Sequence, residues 1–408
     1  MAQPSSPTSD QSRLSAFFKK IYGQADLENA AVINSPLLKG TRKKDNLEGD
    51  GIWHPWNYLT PTGGSADFSK AQANATGSKG QRIFCEVNEF HQFIYLESLG
   101  MRASRSKMGA YLEMKRKEMD EAIDDVGMQM ARALWGDGSG AIAQIATGGV
   151  STDTVTLANS EDTINFREGM IIAANPNKTG NAGTLRTTNE VKSVDDDNGK
   201  VVFTSDVSAD SWAAGDHLYV DGNYDSMMVG IDGYIPSSPI SSTETFKTGA
   251  DRSKRSWLAG HRQSYLGTIE ETVKRLVVKM ARHRLNTKQT VVWLSYYNWH
   301  VLEMELGSRA IRDADDSSKR FGTQTLKMST PKGLVTVAAD PFLDDDKGYV
   351  LDMSTWILHH LDPFPHFVKD DGLIVVRAQN FSGLEARVRA WMDLACLAPW
   401  RNGRFAVS

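Results

Sequence analysis

The sequence predicts an α+β protein, in which helices and strands are intermixed without a regular βαβ rhythm. Two observations carry this prediction. One long segment has clear helical periodicity and leads into a run of short β-rich pieces. Helical and strand-like segments then alternate irregularly towards the C-terminus. Of the 408 residues, 40% are hydrophobic and 24% are charged. This composition allows packed cores in two or three domains of roughly 150 residues each.

Charge and cysteine content exclude several classes of protein. The formal net charge is −4, so the whole chain lacks the basic excess of a typical duplex-binding protein. Cys85 and Cys396 are too few for a disulfide framework and fit a reducing compartment or core packing. The first residues, MAQPSSPTSDQSR, contain no apolar signal core, and no window approaches the roughly 18 apolar residues of a membrane span. We therefore expect the protein to be made and assembled in the cytoplasm.

The N-terminal region contains two candidate contact segments. RLSAFFKKIYG places its apolar residues, Phe17 and Phe18 among them, on one face of a short amphipathic helix. Such a helix could bind a partner or a membrane surface, but docking on its own or a neighbouring subunit is the better interpretation. Arg42, Lys43 and Lys44 form a basic run that is either a solvated charge run or a contact with another subunit or with DNA.

The next segment is polar and then turns β-rich. Residues 38–80 are rich in Gly, Asn, Thr, Ser and Lys and poor in aliphatic side chains. Such a length of weak structure is uncommon in a compact domain and is usually functional. RIFCEVNEFHQFIYLE, at residues 82–97, has the β-branched and aromatic content typical of strands.

Residues 106–135 form the clearest predicted helix, because apolar residues recur every three, four or seven positions and KRKEMDEAIDD covers the other face. Residues 146–222 then alternate β-rich pieces with turn signals and predict a small antiparallel barrel or sandwich. This segment has 12 acidic and 5 basic residues, a charge of −7, which leaves +3 for the rest of the chain. An acidic β module in a slightly basic host predicts an exposed inserted domain.

The stretch LWGDGSGAI joins these two segments and contains Gly136, Gly138 and Gly140. A phosphate-binding loop needs its glycines at the start of a helix, where the amides and the dipole meet the anion. These glycines follow a helix, and the Gly-Lys-Ser/Thr of a P-loop is missing. We therefore predict a helix stop, in which the three glycines act as a backbone hinge.

The remaining sequence predicts structure without a catalytic site. Thr268 and Glu271 form a possible capping box before the helix TIEETVKRLVVKMARHRL. TVVWLSYYNW, LVTVAAD, YVLDM and WILHHL are predicted strands, and two more flank a turn at Gly383. LHHLDPFPH suggests a metal site made of His359, His360, Asp362 and His366. However, adjacent strand residues point to opposite faces, and two prolines interrupt the run. DDDNG at residues 195–199 predicts a hairpin turn and not a calcium loop. We predict no catalytic, cofactor-binding or metal-binding residues.

In their order along the chain, these segments resemble a tailed-phage major capsid protein with the HK97 fold. MKRKEMDEAIDDVGMQMARALWGDGSGAIAQI is similar to the spine helix and its exit, MMVGIDGYI to the turn that follows, and GLEARVRAWMDLACLAPWRNGR to the closing strands. The resemblance covers most of residues 35–145 and 223–408. It implies an N-terminal arm at 1–50, an extended loop with flanking strands at 51–104, and the spine helix of a peripheral domain at 105–145. An inserted β-rich domain at 146–222 follows. The rest is a mainly axial domain at 223–350 and C-terminal strands at 351–408, which are shared between the axial and peripheral domains.

The resemblance implies a structural protein and not an enzyme. Copies would assemble into hexamers and pentamers of an icosahedral virion capsid in the bacterial host cytoplasm. The capsid would enclose double-stranded DNA without sequence specificity and convert irreversibly from a procapsid to a mature state. Its implied partners are itself, a portal, a separate scaffolding protein and a decoration protein, with no membrane and no cofactor. The candidate interface residues are Phe17, Phe18, Arg42, Lys43, Lys44, Lys70 and Lys79.

Some members of the family crosslink a loop lysine to an asparagine of a neighbour. Lys70 and Lys79 lie in the corresponding region, but no asparagine or assisting carboxylate can be matched, so we predict no covalent crosslinks. Two alternatives stay open at this point. One is an encapsulin-like compartment, and the other is a hydrolase or carbohydrate-binding protein built around the β-rich insertion.

Overall fold

The computed structural model describes residues 15, 35–97, 108–180, 184–240, 245–283, 285, 289–307, 311–313, 325–369, 372–378 and 383–407. Over these ranges the protein is a mixed α/β chain. It divides into two compact units, one comprising Met1–Arg132 with Ile235–Ser408 and the other Ala133–Tyr234.

The helices and strands have the following bounds. The helices are α1 (Pro36–Gly40), α2 (Phe68–Ala73), α3 (Met108–Trp135), α4 (Ile231–Tyr234), α5 (Ile269–Ala281) and α6 (Tyr296–Leu306). The strands are β1 (Arg42–Asp45), β2 (Gly51–Leu59), β3 (Lys79–Glu86), β4 (Asn88–Glu97), β5 (Ala141–Ser151), β6 (Thr154–Leu157), β7 (Ile171–Asn175), β8 (Asn189–Asp195), β9 (Lys200–Phe203), β10 (His217–Val220), β11 (His261–Gln263), β12 (Thr290–Leu294), β13 (Ile311–Asp313), β14 (Thr325–Thr330), β15 (Gly333–Ala339), β16 (Lys347–Asp352), β17 (Trp356–Phe367), β18 (Val375–Arg377), β19 (Gly383–Cys396) and β20 (Gly403–Ala406).

The larger unit contains two sheets and a hairpin. One sheet has the order β1-β17-β19-β18, with β4 paired to β19 along ten residues of each strand. The other has the order β11-β20-β16-β12-β15-β14-β13 and mixes parallel with antiparallel pairs. The C-terminal residues therefore supply strands to both sheets. The hairpin consists of β2 and β3 alone.

The main core of the larger unit lies between the seven-stranded sheet and helices α5 and α6. Helix α5 buries one stripe at helical spacing, which includes Val273, Leu276, Val277 and Met280. Its opposite face carries the charged pairs of Lys274 with Glu270 and of Arg275 with Glu271. The predicted cap is present, because the Thr268 hydroxyl accepts a hydrogen bond from the Glu271 amide.

The smaller unit is built on a closed barrel of six strands in the order β10-β5-β6-β9-β8-β7. Its core is apolar, and Phe203 and Trp212 meet edge to face with ring centroids 4.9 Å apart. Residues 195–199 form the predicted β8–β9 turn, with Gly199 at a φ of +62°. The first strand begins at Ala141, directly after Gly140. The β-rich segment was expected to begin at residue 146.

One strand prediction was wrong in part. TVVWLSYYNW was expected to be a single strand, but β12 ends at Leu294 and α6 begins at Tyr296. The reason is Ser295, whose hydroxyl accepts a hydrogen bond from the Asn298 amide and so caps the helix. Aromatic content favoured a strand, but the cap and burial of Leu302 and Leu306 decide for a helix.

The segment 38–80 is more ordered than its polar composition suggested. Leu37 and Leu38 are buried, and β1 pairs in parallel with β17 of the chain's own sheet. Strand β2 pairs with β3 from Gly51 opposite Glu86 to Leu59 opposite Lys79. Irregular structure lies at residues 46–50 and in the connection between β2 and β3, which contains α2 and a bridge between Thr62 and Thr76.

Candidate functional site

The β2–β3 hairpin is the feature that stands out as a contact element. At its tip, residues 60–80 are exposed except for Gly63 and Ala71, which are half-buried. Helix α2 at the tip buries none of its residues, and Phe68 is 81% exposed. Asp67 caps α2 by accepting a hydrogen bond from the Lys70 amide, so the tip has defined local structure. An ordered, apolar-tipped element that buries nothing on its own chain is suited to contact another molecule.

In contrast, the base of the hairpin is fixed to the body of the larger unit. Trp56 is fully buried, its Nε1 donates to the carbonyl oxygen of Cys396 at 2.8 Å, and its ring stacks on Phe246. The Phe84 amide donates to the carbonyl oxygen of Lys247 at 2.9 Å. Hydrophobic burial and these hydrogen bonds hold the base in place while the tip stays exposed.

A polar chain of contacts lies under the base. His54 of β2 and His359 of β17 meet through their Nε2 atoms at 2.8 Å, and His359 Nδ1 lies 2.5 Å from the side-chain oxygen of Asn46. The amide oxygen only accepts, so His359 Nδ1 donates to it and His359 Nε2 accepts from His54. Burial, followed by the neighbouring His54 and Lys44, lowers the pKa of His359 to about 4.

Beside these histidines lies a buried ion pair. Lys247 Nζ donates to the Asp393 carboxylate at 2.6 Å and to the carbonyl oxygen of Leu394 at 2.9 Å. Burial raises the pKa of Asp393, while Lys247 pulls it down. The pair ties the turn that follows Phe246 to β19. That turn also contacts the hairpin through the Thr248 hydroxyl, which donates to Glu86 at 3.1 Å.

The predicted interface residues fall in three places. Phe17 and Phe18 lie outside the described residues. Arg42, Lys43 and Lys44 form most of β1, where Arg42 is exposed and the other two are half-buried. They lie in the chain's own sheet, where β1 pairs with β17. Lys70 and Lys79 are both exposed on the hairpin, Lys70 in α2 and Lys79 at the start of β3.

Gly136, Gly138 and Gly140, the predicted backbone hinge, follow the end of α3 at Trp135. Gly138 and Gly140 have φ values of +94° and +79°, whereas Gly136 has no positive φ. A Cβ at Gly140 would lie 2.1 Å from the carbonyl oxygen of Asn223. Asp137 accepts hydrogen bonds from the amide and hydroxyl of Ser139 and pairs with Lys178 at 2.7 Å. The Ser139 amide is thus occupied by Asp137 and the Ala141 amide by the Ser139 hydroxyl, which differs from the open amides of a phosphate loop.

The histidine run and the cysteines are part of the core. His359 is fully buried, while His360 is half-buried and bonds through Nδ1 to the carbonyl oxygen of Asp362. Cys85 and Cys396 are free and buried. Within the described ranges, no three His, Cys, Asp or Glu side chains come together in a way that would hold a metal ion. No helix in the described part of the chain is long and apolar enough to span a membrane.

The sequence analysis did not identify the residue exposed at the tip of the hairpin or the residues that fix its base. Phe68 is the one large apolar residue within TPTGGSADFSKAQANATG, and that isolation in a polar run was a usable signal. Trp56 and His54 carried no such signal. Their partners, Cys396 and His359, lie 340 and 305 positions away along the chain.

Comparisons with known proteins show which solved structures have a similar fold. No family model and no curated protein matches the chain. The capsid asymmetric unit of Cyanophage A-1(L) is similar in structure, with a TM-score of 0.52 at 11% identity over 92% of this chain and 93% of that chain. The capsid of a native GTA particle gives a TM-score of 0.45 at 7% identity, over 93% and 90% of the two chains. A virus-like particle from Pyrococcus furiosus gives 0.41 at 5% identity, over 98% and 100%.

The cyanophage likeness carries the conclusion, since the other two TM-scores are below 0.5 and support no argument. At such low identity the likeness concerns the fold alone. It extends over nearly the whole of both chains and agrees with the resemblance seen in the order of the sequence segments. The chain therefore has a mixed α/β fold similar to that of the Cyanophage A-1(L) capsid protein.

Proposed function

We propose that this chain is the major capsid protein of a tailed phage. Copies assemble into hexamers and pentamers of an icosahedral head that encloses double-stranded DNA. The observation that carries the proposal is the β2–β3 hairpin, whose base is fixed to the body while its tip exposes Phe68. The fold shared with a cyanophage capsid subunit supports the same function.

The hairpin gives a physical reason for self-assembly. Burial of a phenylalanine side chain contributes about 1.5–3 kcal/mol, and in a closed shell every copy both gives and receives such a contact. Lys70 and Lys79 on the same hairpin would add polar contacts at the rim of that interface. The protein acts through these surfaces and not as an enzyme.

The wider proposal keeps the division implied by the sequence. Residues 1–50 act as an arm, and residues 51–104 act as the extended loop with its strands. Residues 105–145 act as the spine helix of a peripheral domain, and residues 146–222 as an inserted domain. Residues 223–350 form a mainly axial domain, and residues 351–408 form strands shared by the axial and peripheral domains. The shell matures irreversibly from a procapsid and works with a portal, a separate scaffolding protein and a decoration protein. Assembly takes place in the bacterial host cytoplasm. No observation favours the encapsulin-like or hydrolase alternatives.

Size-exclusion chromatography with negative-stain microscopy tests the proposal. We expect the purified full chain to elute in part as large closed shells with hexameric and pentameric capsomers. A chain of 45.0 kDa that stays monomeric under every salt and concentration condition would contradict it. Genome-length DNA inside particles from infected cells is the further expected result, and particles that hold only a protein cargo would overturn the phage assignment.

Denaturing gel electrophoresis of mature particles tests the absence of crosslinks. Lys70 and Lys79 are exposed on the hairpin, and the proposal assigns them non-covalent contacts. We expect one band at the monomer position. A ladder of SDS-resistant multimers that disappears in the Lys70→Arg or Lys79→Arg variant would show that a loop lysine forms a covalent bond.

A further inference from the structure

A basic surface with an aromatic centre lies elsewhere on the larger unit, around Trp257 and His283. These two rings have centroids 5.2 Å apart, and His283 also lies against His261, with centroids 4.9 Å apart. Trp257 meets Trp400 edge to face at 5.4 Å. The cluster brings together the segment before β11, the end of α5 and the turn before β20, so the charged residues of these segments share one region.

Three cations of this region extend into solvent. Arg255 precedes Trp257 by two positions, Arg282 is next to His283, and Lys279 donates to the carbonyl oxygen of Arg262 at 3.0 Å. All three side chains are exposed. None of them has a carboxylate partner within the part of the chain that the structure describes. We call these cations, together with Trp257 and His283, the basic aromatic surface.

The neighbouring arginines have structural roles and do not belong to this surface. Arg252 is buried over the Phe246 ring, and Arg262 donates to the carbonyl oxygens of Pro236 and Ala259. Arg401 pairs with the buried Asp352 at 3.6 Å. These contacts place Arg252, Arg262 and Arg401 inside the fold. Arg255 and Arg282 are exposed, and the exposed Lys279 has one hydrogen bond, to the carbonyl oxygen of Arg262.

The local charge is positive although the whole chain is acidic. Residues 251–283 contain eight basic and three acidic residues, a charge of +5, against −4 for the whole chain. Burial first and then Arg282 lower the pKa of His283, and burial followed by His283 and Lys279, among others, lowers the pKa of His261 to about 4. The two imidazoles are therefore neutral at pH 7, and the surface offers flat rings flanked by uncompensated cations.

Such a surface fits a polyanion with freely accessible oxygens. Phosphates of a nucleic acid backbone meet this description, since exposed Lys and Arg neutralise them and release counterions. The acidic barrel of another copy is a less suitable partner for this surface, because many of its carboxylates already accept hydrogen bonds within the barrel. Asp206 accepts from Ser208 and Ala209, Asp195 accepts from Asn198, and Asp216 pairs with Arg186.

We propose that the basic aromatic surface contacts the phosphate backbone of enclosed double-stranded DNA, without reading its sequence. The inference rests on the proposed capsid function and adds the face of the subunit that meets the genome. Three cations set the scale of the effect. Each neutralised phosphate contributes about 0.9 to the slope of log K against log salt, so three account for a slope change of about 2.7.

The test is binding of a fluorescent duplex of about 30 base pairs to the unassembled full chain, measured by anisotropy over a range of salt concentrations. The variant Arg255→Gln/Lys279→Gln/Arg282→Gln should bind at least tenfold more weakly at low salt, with a slope smaller by about 2.7. The matched control is Lys117→Gln/Lys192→Gln/Lys200→Gln, which removes the same charge at three other exposed positions and should keep the wild-type slope. Unfolding curves check that both variants fold.

Three results would overturn the inference. The first is an equal loss of slope in the variant and the control, and the second is a wild-type chain that binds no duplex. The third is loss of particle formation in the charge-reversed Arg255→Glu/Lys279→Glu/Arg282→Glu variant with recovery on Asp196→Lys/Asp197→Lys, because the surface would then join copies of the chain. Particle formation by the wild type is scored separately, so failure of the capsid function and failure of this inference are distinguishable.

Discussion

At the scale of single residues, the contact between His54 and His359 is the most sensitive point of the hairpin base. The His359 ring must be neutral for its Nε2 to accept the hydrogen bond that His54 donates. The titratable groups around them are Lys44 on β1, Lys247 on the neighbouring turn with its partner Asp393 on β19, and the adjacent His360. Burial first, and then the neighbouring lysines among others, lowers the pKa of both histidines and disfavours an imidazolium.

This arrangement predicts a loss of stability in mild acid. His359 has a folded pKa of about 4 against 6.5 in the unfolded chain, so the unfolded state binds more protons between these values. The contribution of His359 to the free energy of unfolding is fully present above about pH 6.5. It decreases as the pH falls and is lost below about pH 4. Urea unfolding midpoints across this range should depend less steeply on pH in His359→Gln. His91→Gln, at an exposed position, is the control, and equal slopes in both variants would contradict the prediction.

At the scale of elements, two short signals decide where helices begin and end. Gly140 turns the chain from α3 into the barrel at a positive φ and against the Asn223 carbonyl. Ser295 starts α6 inside a run of aromatic and β-branched residues that favours a strand. Each is one residue, and each overrides the propensity of its neighbours because it satisfies backbone geometry or a backbone donor directly.

Gly140→Val should destabilise the barrel unit and impair particle formation. The positive φ alone costs a residue with a Cβ about 1–2 kcal/mol, and the close approach to Asn223 adds to it. Gly215→Val is the matched control, because Gly215 has a φ of +86° with open space around it. Unfolding followed through the buried Trp212 should show the larger loss for Gly140→Val. Losses of the same size would mean that the contact with Asn223 is unimportant.

Ser295→Ala should lower the free energy of unfolding by about 1 kcal/mol, because the Asn298 amide loses its side-chain acceptor. Ser295→Asn offers an equivalent acceptor and should retain most of the stability. Chemical unfolding of both variants measures the difference. If the Asn variant is as unstable as the Ala variant, then packing of the small buried side chain matters and the cap does not.

At the scale of the whole molecule, the hairpin separates folding from assembly. Its base contributes to the stability of the larger unit, while its tip contributes none of the described buried surface. A protein can carry an exposed aromatic residue at little cost to its own fold, and the exposed area becomes useful when another copy covers it. Stability and assembly should therefore respond to different substitutions within one hairpin.

Phe68→Asp should leave the unfolding transition unchanged and abolish or strongly reduce particle formation, since Phe68 is 81% exposed in the single chain. Trp56→Phe should lower the free energy of unfolding by about 1–2 kcal/mol, because it removes the hydrogen bond to the Cys396 carbonyl. It should leave particle formation unchanged, because the tip is intact. Ile164→Asp, at a position 53% exposed on the barrel, is the surface control. Normal particles from Phe68→Asp would remove the tip from the assembly interface.

Much of the fold could be predicted from the sequence where the deciding contacts are local. The period of apolar residues predicted α3 and α5, the turn residues predicted the β8–β9 hairpin, and the mixed α/β class and capsid-like fold followed from the order of segments. The same local reasoning misplaced residues 296–299 in a strand and did not foresee that β1 pairs with β17. Phe17 and Phe18, outside the described residues, stay predictions of the sequence.

The sequence by itself determined the character of each segment: which stretches are periodic and apolar, and which carry turn signals. Only the tertiary structure decided what those segments touch. Partners such as His54 and His359 lie 305 positions apart, and Trp56 and Cys396 lie 340 apart. Periodicity and capping depend on neighbours a few residues away along the chain. The pairing of distant residues depends on how whole sheets pack, and hundreds of weak contacts together determine that packing.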